Sequence, residues 1–283
     1  MKARLATIRR LGRLWRLYAV MDLLWITRNF ASAAAYIASD LVLNGAAIAT
    51  SLLLAARFDG IGRWTTPEIV FMLGYGMLAT ATVDLFFGYN LKMISRRIGR
   101  GQLDHVLIQP QPLWMVLLTE GFVPVEYPLV IAAALALLIW SFSRIVLALT
   151  WHWFAWLGID LVASCVIIVA FQFIWGSTAF WAPRAAEEIN SSTERLINQL
   201  RVFPLDGAGL PLQGALVSVV PAGLVAWFPC RYLLGLDFTP GGVAFTPLAA
   251  VVLSVVAVVI FRKGFHRYGQ TGSQRYLAAG HRR

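Results

Sequence analysis

Five carboxylates, Asp40, Asp84, Glu120, Glu126 and Asp160, interrupt long apolar runs. A carboxylate surrounded by hydrocarbon costs several kcal/mol unless it is paired or neutral, so such groups are candidates for moving protons or ions. They serve equally well as hydrogen-bonding links between helices or as caps. Asp84 and Glu120 fall towards the ends of their runs, whereas Asp40 and Asp160 have few basic residues in reach. Other chemistry is poorly served. The lysines are Lys2, Lys92 and Lys263, and none stands in the G-x-x-x-x-G-K-[ST] setting that cradles a nucleotide phosphate. His105, His152, His266 and His281 are scattered, without an H-E-x-x-H pair, and no G-x-S-x-G elbow exists. Cys165 and Cys230 match no metal or redox spacing and read as packing residues.

The other chemically dense stretch is Leu91 to Pro112, a charged interval deep within an apolar chain. Such an interval belongs in water between two membrane-embedded segments. Ile94 and Ile98 are four apart, with Arg96, Arg97 and Arg100 around the other side, which makes a short amphipathic helix. Gly99 and Gly101 end it. A second short piece follows, with Leu103 and Leu107 on one face and Asp104 on another, until Pro110 and Pro112 stop it. Such a unit is either a mechanical part that moves both flanking helices or a solvated turn whose arginines fix topology.

The run G-R-G-Q-L-D-H-V-L-I-Q-P here, the earlier G-R-W-T-T-P-E-I-V-F-M-L-G-Y-G and the late F-P-C-R-Y-L-L-G resemble ABC-2 type permeases, the membrane subunits of ABC exporters. The resemblance implies a coupling element, with Ile94, Arg96, Arg97, Ile98, Arg100, Leu103, Asp104, Leu107 and Pro110 as its contact residues. Leu103 and Leu107 would be its apolar knobs, seated in a groove of an ATPase. It also implies two separate ATPase subunits that hold the ATP and Mg, so that this chain carries no cofactor and no catalytic residue. A second permease, identical or sister, would complete the pathway. One departure is Gln109, where the family commonly has Arg; a contact made by that Arg must be made differently here.

At 283 residues, 59% hydrophobic and only 13% charged, with a mean hydropathy of +0.69, the chain is too apolar for a soluble domain, where about 25% charged is usual. The net charge of +10 is explained by the bias of Lys and Arg towards the cytoplasmic side, so nucleic acid is not an expected partner. Many of the 11 tryptophans stand near expected span ends, as an interfacial belt requires. Asp22 and Arg28 interrupt the first apolar stretch, which argues against a cleavable signal peptide.

The elements that must position these groups can be read in order. Residues 1–29 form an amphipathic helix on the membrane surface, with Ile8, Leu11, Trp15 and Tyr18 against Arg9, Arg13 and Arg16. Residues 30–262 form the transmembrane domain, with the charged loop at 91–112, and 263–283 a basic cytoplasmic tail. A bilayer core needs about 20 helical residues. Spans are expected at 30–56, 68–89, 113–141, 153–181 and 243–261. In the third, Gly121 and Pro124 are the points at which the helix would break. The stretch 184–210 is ambiguous: the resemblance makes 186–203 the fifth span, followed by an outer re-entrant hairpin around 210–228, and the alternative makes 211–228 the span.

Lys and Arg number seven through Arg28, four in the middle loop and six from Arg262, against Arg57, Arg63, Arg144 and Arg231 in the proposed outer loops. Both termini and the loop are therefore expected in the cytoplasm. The fold expected is an all-α polytopic membrane protein with six transmembrane helices, of the ABC-2 or type V exporter kind, multi-pass in a bacterial cytoplasmic membrane. An ion-gradient-driven carrier or channel using Asp40, Asp84, Glu126 and Asp160 is the competing reading. Long apolar spans suit a lipid-like cargo, and equally a peptide or polysaccharide.

Overall fold

The computed structural model describes residues 2–272 except 59, 93, 126, 148 and 240. Glu126 and the tail segment 273–283 lie outside the described residues, as does the side chain of Asp40. In chain order the helices are α1 (Lys2–Arg28), α2 (Phe30–Phe58), α3 (Thr66–Lys92), α4 (Ile94–Gly99), α5 (Gln102–Leu107), α6 (Leu113–Thr119), α7 (Pro128–Phe142), α8 (Trp151–Ser177), α9 (Pro183–Leu200), α10 (Leu210–Ser218), α11 (Trp227–Leu233) and α12 (Phe245–Thr271). No β-strand forms among the described residues.

Long apolar runs explain the long helices, since in lipid a helix satisfies its own backbone, and packing decides their order. The apolar helix α8 is the centre of the bundle, lying against α12 along its length and against α3 on another side, while α7 covers a further face of α3. One end of the bundle is filled by Trp64, Phe71, Met72, Tyr75, Trp227 and Cys230. The opposite end is filled by Ile94, Ile98, Leu103, Phe180 and Tyr268.

Among the described residues four helical stretches are long and apolar enough to cross a membrane: Phe30–Leu53, Thr66–Gly88, Trp151–Phe180 and Gly242–Thr271. The shortfall from six has two physical causes. The expected third span is split into α6 and α7, because α3 and the intervening loop meet backbone to backbone. Gly88 in α3 has φ 52° and ψ −164°, a conformation open to glycine. A Cβ placed on Gly121 would lie 1.7 Å from the Phe87 carbonyl oxygen, and Val123 donates its N–H to Leu85 O at 3.1 Å. The second cause lies in 184–210. Here α9 forms a helix over the first expected alternative, but it is polar, and 210–233 is not a straight span: Leu210–Ser218 and Pro221–Leu233 are bent by 74°.

At the Trp64 end, Asp206 gathers the loops. Its Oδ2 accepts the indole N–H of Trp64 and that of Trp227 at 2.6 Å, and Arg231 lies 3.7 Å from Oδ1. In contrast α2 leaves nearly all its apolar surface uncovered, with buried Ser51 donating to Val202 O at 3.1 Å.

Candidate coupling site

Between α3 and α6 the chain makes a hairpin of two six-residue helices, α4 and α5. Gly101, left-handed at φ 68°, turns one into the other. The spacing of Ile94 and Ile98 does what amphipathicity requires, and both are buried against α8 and the segment that follows it. The approach is close: a Cβ on Gly176 of α8 would lie 2.2 Å from Ile94 Cγ2. Glycine at that position gives the hairpin its seat.

The arginines are not a free solvated face. Arg97, 8% exposed, donates from Nη1 to Glu120 Oε2 at 2.7 Å, across the loop to the end of α6. Arg96 Nε donates to Glu187 Oε1 at 2.8 Å, and Arg100 Nη2 reaches the same oxygen at 3.3 Å. Glu187 stands in the first turns of α9. The Asp104 carboxylate accepts the phenolic O–H of Tyr268, near the end of α12. The hairpin is thus keyed to three separate elements, α6, α9 and α12.

The expected pair of apolar knobs divides. Leu103 is 0% exposed and packs in the core with Ile98, Phe180 and Tyr268, whereas Leu107 is 43% and Ile108 82% exposed. Tyr268 and Phe180, brought from distant parts of the chain, cover the first leucine. The outward apolar feature is therefore Leu107 with Ile108, followed by exposed Gln109 and Pro110. Trp114, 48% exposed, lies just beyond.

Of the intramembrane acids, the described Asp84, Glu120 and Asp160 do not gather into one site. Asp84 is half-buried on α3. Asp160 is fully buried on α8, and neither carboxylate oxygen has a hydrogen-bond partner among the described residues. Glu120 belongs to the hairpin through Arg97. Glu187 and Tyr268 were absent from the coupling residues expected from the sequence. Their separations from their partners, 91 and 164 residues, leave no local spacing to detect. Among the described residues no three His, Cys, Asp or Glu side chains come together as metal ligands.

An all-helical chain with several membrane-length apolar helices, and a small polar hairpin locked under them, defines a multi-pass membrane protein of the transport class. Residues 41–272 match the family model described as ABC-2 family transporter protein. The chain belongs to that family and is a membrane permease component of an ABC transporter. No curated protein and no solved structure matches it.

Proposed function

We propose that the chain forms the translocation pathway of an exporter as a pair of permeases, identical or sister, driven by two separate ATPase subunits that hold ATP and Mg. The observation that carries this is the hairpin. Its inner face is bolted to α6, α9 and α12, while its outer face offers Leu107, Ile108, Gln109 and Pro110 to a partner. Closure of the ATPases on nucleotide would push a rigid unit that pulls three helices together, switching the path between its two sides. Six spans follow if α6 with α7 counts as one and α9, continued by residues 201–206 up to Trp64 at the opposite end, as another, with α10 and α11 as an outer re-entrant hairpin. Both termini and the α4–α5 hairpin then face the cytoplasm of a bacterial cell.

Affinity purification of the permease from its native membrane tests this reading. An ATPase subunit is expected to copurify and to hydrolyse ATP in the complex. Its absence from a complex that still transports would overturn the reading. Cysteine at position 100, in a background free of Cys165 and Cys230, is expected to escape an impermeant reagent applied outside intact cells. A second reading, transport driven by an ion gradient, is favoured by one observation, the unpartnered carboxylate of Asp160.

A further inference from the structure

The helix α9 is not among the helices apolar enough to cross a membrane, and yet it lies against α8 within the bundle. Its start is tied by Glu187 to Arg96, beyond the end of α3. Just past its end, Arg201 donates to the Gly76 carbonyl at 3.0 Å and to the Thr80 hydroxyl. Gly76 and Thr80 stand midway along the apolar stretch Thr66–Gly88. From residue 187 to residue 201 an α-helix rises about 21 Å. The helix therefore runs from the hairpin layer to the middle of the apolar slab.

Ala186, Asn190 and Ile197 are buried against the bundle. On the other side Arg184, Glu188, Ser192, Arg195 and Gln199 are exposed, at spacings that align them in one stripe. Charged side chains facing hydrocarbon at this depth are costly, so they face a water-filled space or paired partners instead. The deep end of the stripe presents Arg195 and Gln199; with half-buried Glu194 beside them and Arg201 just above, the charge balance at that depth is one positive.

We propose that this stripe lines an aqueous route through one leaflet, and that the cargo is water-soluble and rich in acceptor oxygens, with anionic groups, rather than an acyl-chain lipid. The proposal rests on the permease reading and adds the chemical class of what passes. Arg195 donates from Nε to Ser191 O and from Nη2 to Ser192 Oγ, both at 3.3 Å, and would offer a cargo carboxylate or phosphate its remaining Nη N–H groups, while Gln199 would serve hydroxyls. Glu187 makes the same helix answer to the hairpin, so the polar surface moves when the hairpin does.

The test is thiol accessibility in the complete transporter, in inverted membrane vesicles, with Cys165 and Cys230 replaced by alanine. Single cysteines go in for Ser192 and Gln199 on the stripe, Ile197 on the buried side and Val255 on the exposed apolar face of α12. Three methanethiosulfonates serve as probes: one sulfonate-bearing, one trimethylammonium-bearing and one alkyl. The stripe positions are expected to react with the sulfonate about tenfold faster than Val255→Cys does, and at 192 faster than with the cation, as a focused positive field requires. The alkyl reagent should favour Val255→Cys, and Ile197→Cys should resist all three. Stripe cysteines that behave like Val255→Cys place the stripe in lipid. Stripe cysteines that resist every probe place it under another protein surface, such as a second copy, and the cation outpacing the sulfonate overturns the cargo class. Trapping with ATP and vanadate separates the two readings. A stripe labelled as expected but indifferent to trapping removes the ATP-driven reading and leaves the aqueous route standing.

Discussion

Tyr268 donates its phenolic O–H to the carboxylate of Asp104, so α12 closes on the hairpin between the chain's second and third apolar segments. The same ring packs on Phe180, with centroids 5.7 Å apart, and on Leu103. A hydrogen bond to a charged acceptor contributes about 1.5–3 kcal/mol. Tyr268→Phe keeps the packing and removes the bond. It is expected to raise hydrogen exchange in residues 102–108 about tenfold or more while leaving α8 protected, the factor following from a loss of about 1.4 kcal/mol or more. Unchanged exchange would show that the bond does not hold the hairpin.

The ion pairs that Glu120 and Glu187 make with the hairpin differ in burial and should differ in consequence. Removing Glu120 strands the guanidinium of Arg97, so Glu120→Ala should cost roughly 1–3 kcal/mol, less than a fully buried pair because Glu120 keeps water contact. Glu187→Ala breaks bonds to the more exposed Arg96 and Arg100 and should cost under about 1 kcal/mol. Its effect belongs to coupling: ATP hydrolysis by the complex should fall while melting temperature holds, and the exchange Arg96→Glu with Glu187→Arg should restore part of it. Equal loss of stability in both alanine variants would refute the distinction.

The two leucines of α5 offer a sharper division. Leu103→Ala empties a closed core position and should cost about 2–5 kcal/mol. Leu107→Asp with Ile108→Asp changes exposed positions and should leave membrane abundance near normal, yet abolish binding of the ATPase subunit. Normal copurification of the ATPase with that double variant would remove the outer face of the hairpin from the coupling surface.

The contact of Gly121 with Phe87 admits no side chain, since the nearest backbone oxygen would be 1.7 Å from an added Cβ. Gly121→Ala should therefore separate α6 from α3 and sharply reduce folded yield, a loss above about 3 kcal/mol, as expected for severe overpacking against backbone. Gly214→Ala, which meets nothing within 4 Å, is the control and should be silent. Gly121→Ala protein of normal yield and melting temperature would contradict the backbone contact.

Half-buried Asp22 of α1 accepts the Val125 N–H at 3.1 Å. Burial holds its carboxyl above the ordinary value, and that bond pulls it partly back. A carboxyl that keeps its proton more tightly folded than unfolded adds stability below its unfolded pKa, and loses it as pH rises through the folded value. Exchange protection of α1 should therefore weaken as pH rises through that window. Asp22→Asn, which keeps an acceptor without the charge, should flatten the dependence. A wild-type profile with the opposite slope would overturn the assignment.

Much of this architecture is legible in the sequence because its causes are local. The apolar runs at 30–56, 68–89, 153–181 and 243–261 become α2, α3, α8 and α12, since a long apolar stretch in lipid has to satisfy its own backbone and the helix does so internally. Pro110 and Pro112, with Gly99 and Gly101, similarly confine α4 and α5 to a few turns. What depended on distant partners was not readable. Leu103 and Leu107 share a face by spacing, but Tyr268 and Phe180 cover only the first. The break after α6 reflects the meeting of Gly121 with Phe87, and the polar α9 takes its place through Arg96 at one end and Gly76 at the other. Helical period and hydropathy act within a few turns and determine which segments are helices; burial and ion pairing need surfaces from remote segments, so only the assembled bundle decides which residues a partner can touch.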